Sequence, residues 1–151
     1  MNIYQTGLLL LLGSISFITF LKALKECKDN NNSFGRPYRL CEIYGSFVWA
    51  DHVVFGLFWT IVTVIVLLLQ DFLLFFLIIS VFWLVRSIGE TIYWFLQQFH
   101  PRKGNDPQKF IFYKLFKNDS VWFVNQIAWQ CITVITFITT LYLSYLWITS
   151  L

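Results

Sequence analysis

Apolar and polar positions alternate along this chain on a coarse scale: four long apolar runs are separated by short polar stretches. A hydrocarbon core about 30 Å thick takes about 20 apolar residues to cross as a helix. Runs of that length predict helices over about 3–24, 46–69, 72–99 and 120–148. Only Gln70 and Asp71 separate the second run from the third, which predicts a tight antiparallel hairpin. One unbroken helix through that point would be far too long for a bilayer. The first run has no basic stretch before it and no small-residue cleavage site, so it is expected to be a retained helix and not a secretory leader.

Two polar loops remain, at about 25–45 and 100–119. In the first, Asp29, Asn30, Asn31, Asn32 and Ser33, followed by Gly35 and Pro37, are turn chemistry. In the second, Asp106 and Pro107 suit a helix start. The mixed aromatics and lysines after them predict a short interfacial segment with snorkelling Lys, and Asn118, Asp119 and Ser120 suit a cap for the last helix. No repeat or separate soluble domain is visible, so a single transmembrane domain over 1–151 is expected.

Composition agrees with the pattern. Of 151 residues 58% are hydrophobic and 13% charged, against about 25% charged in soluble domains. The mean hydropathy is +0.65. A chain this short has too little interior to hide so much apolar surface from water, and disorder is excluded on the same grounds. The net charge of +3 could suggest nucleic acid, but the basic residues flank apolar runs, which is a topology signal instead.

That signal is one-sided. Lys22, Lys25, Lys28, Arg36 and Arg39 belong to the first loop; Arg102, Lys103, Lys109, Lys114 and Lys117 belong to the second. Every basic residue except Arg86 therefore falls on one side of a four-span topology. By the positive-inside rule that side is cytoplasmic, and both termini face out. The expected class is an all-α membrane protein: a four-transmembrane-helix bundle, N-out and C-out, with two basic cytoplasmic loops, in the plasma membrane. Cys27 and Cys41 would then sit in a reducing compartment and Cys131 inside a helix. The sequons at Asn31 and Asn118 would be inert. No metal-ligand spacing is present, and neither a metal nor a cofactor is expected.

Polar residues inside the spans are the candidate site, because a charged side chain at mid-bilayer costs about 2.5–3.5 kcal/mol on insertion scales. Asp51, His52, Arg86, Glu90, Gln126 and Gln130 all lie, by helix rise, in the cytoplasmic half. Arg86 and Glu90 are spaced i,i+4, within ion-pair reach on one face, and Tyr93 and Gln97 continue that face. Such a pair is either a packing salt bridge or one wall of a cytosol-facing pocket. On the last helix Gln126, Gln130, Thr133, Thr136, Thr140 and Ser144 fall within about 120°, a stripe more suited to interhelical hydrogen bonds than to a solvated path. His52 shares a face with Gly56, Thr60 and Thr63 and could titrate near neutral pH beside Glu90, whereas Asp51 is placed to favour the helix dipole.

Three functions suit this constellation. The first is a membrane component that binds anionic lipid headgroups at its basic loops and a small ligand or partner helix at its polar cluster, as a monomer or homo-oligomer. The second is an oligomeric channel or transporter using the Thr/Ser stripe and Arg86. The third is a membrane enzyme acting on a lipid-like substrate, with His52 or Glu90 as base.

Overall fold

The computed structural model describes residues 1–99, 113, 116 and 120–150. It is helical, with no strand among the described residues. In chain order the helices are α1 (Ile3–Lys28), α2 (Arg39–Ile43), α3 (Trp49–Leu69), α4 (Phe72–Phe99) and α5 (Ser120–Ser150). All but α2 are long and apolar enough to cross a membrane. These four candidate spans make the chain a multi-pass membrane protein by length and composition. The described residues form two compact units, Met1–Ile78 and Ile79–Leu151.

The first unit is built on α1 against α3. On α3 the buried residues Trp49, His52, Gly56, Trp59, Thr63 and Val66 recur at alternating steps of three and four, the spacing that keeps one seam facing a partner helix. On α1 Leu9, Ser16 and Ala23 are buried at steps of seven. Small residues set how closely the helices approach. A Cβ placed on Gly13 would lie 3.0 Å from Thr63 Oγ1, and one on Gly56 would lie 3.0 Å from Phe20 Cβ. Because Gly13 meets Thr63 and Phe20 meets Gly56, the two helices run antiparallel.

Helix ends follow local chemistry. The Asn2 side chain accepts from the Gln5 amide, and Gln5 Oε1 accepts from the Asn2 amide, closing a capping box at the start of α1. α1 runs to Lys28, about one turn beyond its apolar run, and stops where Asn31 takes a left-handed φ of 50°. The Asn32 side chain then donates to Glu26 Oε2 at 3.1 Å. The turn chemistry expected at 29–37 is therefore present. The α3–α4 connection is as short as expected: Gln70 adopts the left-handed conformation, and Asp71 Oδ1 accepts from the Leu74 amide at 3.0 Å, an N-cap for α4.

The first loop and the start of the second span differ from expectation. The loop at 25–45 contains α2, and the second span begins at Trp49 instead of 46. Ser46 and Phe47 carry no helix because their neighbourhood is used to close the start of α3: the Trp49 amide donates to Gly35 O and the Ala50 amide to Ser33 O. These amides have no intrahelical partner, and loop carbonyls supply one. Hydropathy alone could not register this. The interfacial segment and cap expected at 100–119 lie outside the described residues, apart from Tyr113 and Phe116.

In the second unit α4 and α5 run antiparallel. Trp94 stacks on Trp122 with ring centroids 5.6 Å apart, and these two cluster with Val121 and Trp129. Further along, the hydroxyls of Thr133 and Ser87 lie 2.9 Å apart, and Ser80 Oγ lies 2.7 Å from Thr140 Oγ1.

The glycines yield a direct test. Gly56→Leu forces the α1–α3 seam apart and is expected to destabilise the reconstituted protein by about 1–3 kcal/mol. Gly7→Ala, at a position with open space around it, is expected to be neutral or to stabilise by about 0.5–1 kcal/mol. Reversible denaturation in mixed micelles measures both.

Candidate functional site

The strongest polar constellation centres on His52, which is fully buried. Its Nδ1 lies 2.9 Å from Ser46 Oγ and its Nε2 lies 2.7 Å from Thr19 Oγ1. Thr19 carries one hydroxyl proton and sits 2.7 Å from its own helix carbonyl at Ile15. Committed there, that hydroxyl can only accept from the ring, so Nε2 carries the proton and Nδ1 accepts from Ser46. In its neutral form the ring is thus held in one tautomer with both nitrogens used.

Aromatic residues wall this histidine. Tyr44 meets it edge to face at 6.1 Å, and the Trp59 indole donates to the Tyr44 carbonyl at 3.2 Å. Burial pushes the Tyr44 phenol above its ordinary range, although the Ser16 hydroxyl opposes that. Burial, with a smaller contribution from Glu42, also raises the Cys41 thiol. Toward the loop, Tyr38 meets Trp49 edge to face at 5.7 Å. The Lys22 ammonium hydrogen-bonds the Tyr38 hydroxyl and lies 4.3 Å from the centre of that ring.

Asp51 sits in the first turn of α3, where a carboxylate is favoured by the helix dipole. Its Oδ2 accepts from the Phe47 amide at 3.1 Å. His52 and Asp51 therefore separate as their 100° offset predicts. Within the first unit Ser46 and Thr19 take both nitrogens of the His52 ring, and within the second Glu90 Oε1 binds Arg86 Nη2 at 2.9 Å.

The α4 stripe has its own setting. Arg86 and Glu90 are 20% and 12% accessible at the side chain, Tyr93 is exposed, and Gln97 is part-buried. The Gln97 Oε1 atom is buried with no hydrogen-bond partner among the described residues. This stripe lies roughly a quarter-turn from the face of α4 that carries Ser80, Ser87, Trp94 and Gln98 to α5. Gln126 of α5 meets that other face, accepting from Gln98 Nε2 at 2.5 Å. Gln130 is exposed on α5.

The structure brings Arg86 to Glu90 as their spacing predicts, and of the α5 stripe the side chains of Gln126, Thr133 and Thr140 meet polar groups of α4. Sequence reasoning missed Ser16, Thr19, Tyr44, Ser46 and Gln98. Thr19 and Ser16 were visible as hydroxyls in a leucine-rich run, three apart and so on one helix face. Ser46 and Tyr44 had no comparable signal, because only the fold of the loop carries them to the ring. Among the described residues no group of His, Cys, Asp and Glu is placed to hold a metal ion. Comparison with protein-family models, curated proteins and solved structures finds no match.

A buried ring nitrogen left without its partner costs about 1–3 kcal/mol. Ser46→Ala and Thr19→Val are each expected to lose that much stability, whereas Thr19→Ser keeps it. The 15N spectrum of the neutral His52 ring should show the proton on Nε2. A ring protonated on Nδ1 alone would contradict the assignment.

Proposed function

We propose that this protein is a non-enzymatic binding component of the plasma membrane, with both termini outside and the loops at 25–45 and 100–119 in the cytoplasm. The single observation that carries this reading is the Arg86–Glu90 pair: it is formed, yet partly accessible, and shares its face with the exposed Tyr93 and with Gln97 Oε1, an acceptor that has no donor. Gln97 lies two turns beyond Glu90 on this face, and turning its buried acceptor outward to a polar group on a small ligand or partner helix completes its hydrogen bonding. Lys22, Lys25, Lys28, Arg36 and Arg39 are all exposed, which suits anionic lipid headgroups at the cytoplasmic surface.

The rival readings have less support. An enzyme using His52 as base needs a free ring nitrogen, and both are engaged. A path lined by the α5 stripe needs free hydroxyls, whereas Thr133, Thr136 and Thr140 are each hydrogen-bonded to their own helix carbonyls.

Replacing Tyr93 by a photo-reactive phenylalanine tests the reading in native membranes. A discrete adduct is expected on illumination, and the combined Arg86→Gln and Glu90→Gln substitutions should abolish it while helicity stays intact. An adduct pattern unchanged by the double substitution, together with stability lost in each single variant and regained in the double, would reduce the pair to packing.

A further inference from the structure

Gln130 differs from every other amide of α5. Gln126 has Gln98, and Asn125 donates to Val121 O at 3.1 Å. Gln130 lies ten residues into the helix, about 15 Å from its first residue, and is exposed with no hydrogen-bond partner among the described residues. Gln126 and Thr133 flank it on the side toward α4, and on its other side the surface is apolar. Ile127, Val134, Leu141 and Ile148 are exposed and recur every seven residues, and Phe137 and Ile138 fill the next level of the same face. The centre of that seam lies roughly a quarter-turn around α5 from Trp122, Trp129, Thr133 and Thr140, which face α4, and Gln130 lies on the edge of the seam nearer to them.

We propose that this face of α5 is the dimerisation surface of the protein, occupied by α5 of a second copy, with the two Gln130 amides hydrogen-bonded to each other. The seven-residue spacing suits a parallel helix pair. It does not by itself drive association, because lipid chains are as apolar as leucine. The amide supplies the drive and selects the occupant. A primary amide is both donor and acceptor, so it is complementary to a copy of itself across a two-fold axis. Two copies inserted with the same topology place their α5 helices parallel and their Gln130 side chains at the same depth. The reciprocal pair then forms without any shift of register, and a lone polar residue in an apolar seam fixes that register. This inference uses α5 alone and does not rest on the reading of the α4 stripe.

The test is energy transfer between donor- and acceptor-labelled copies of the full chain, labelled at the amino terminus and reconstituted in phosphatidylcholine–phosphatidylglycerol vesicles over a range of protein-to-lipid ratios. Wild-type transfer is expected to rise and saturate. Gln130→Leu should move the midpoint to at least tenfold higher density, equivalent to about 1.4 kcal/mol, while Gln130→Asn holds it near wild type. Val134→Trp, a steric change in the same seam that leaves the amide intact, should also weaken transfer, and it decides the matter if Gln130→Leu loses helicity. No transfer at any density, or an unchanged midpoint in both Gln130→Leu and Val134→Trp, overturns the proposal.

Discussion

A polar group in hydrocarbon has no water to turn to, and an unpaired amide or hydroxyl there costs several kcal/mol. Everything specific about this protein depends on how it meets that constraint. Apolar surface cannot distinguish one helix packing from another when lipid is equally apolar. The hydroxyl, amide and imidazole groups can, because each must find a partner of the right kind at the right depth. In the first unit that role falls to His52 between Ser46 and Thr19. In the second it falls to Ser80 with Thr140, Ser87 with Thr133, and Gln98 with Gln126.

The same accounting separates fasteners from candidates for binding. His52 is the most chemically capable side chain in the first unit, yet it is fully buried and has both nitrogens engaged, so its contribution is to pin the loop after α2 to α1 and α3. The α4 stripe is different in kind. Its ion pair neutralises two charges locally, but Gln97 Oε1 still lacks a donor. Under the proposed function that open acceptor, like the amide of Gln130 on α5, is a place for a partner's polar group.

Much of the fold was legible because the bilayer imposes a length. The four long helices follow from run length, and the turn at Gln70 and Asp71 from its brevity. The Arg86–Glu90 contact was legible because an i,i+4 spacing within one helix needs no knowledge of tertiary structure. What was not legible depends on the path of the first loop. Ser46 looked like the start of a span, but it lies outside the helix and faces His52, since carbonyls of Ser33 and Gly35 close the amides of Trp49 and Ala50. Gln98 was overlooked for Gln97, its neighbour, because choosing between adjacent residues requires the rotation of α4, which a polar stripe alone does not settle.

The central claim is that the intramembrane hydroxyls and amides hold helices together. A double-mutant cycle on Ser87→Ala and Thr133→Val in the reconstituted protein tests it most directly, because the two hydroxyls meet across α4 and α5 and both replacements are nearly isosteric. The account predicts a coupling energy of about 0.6 kcal/mol, within the range up to about 1.7 kcal/mol seen for such bonds. Additive effects, with no coupling between the two sites, would contradict it.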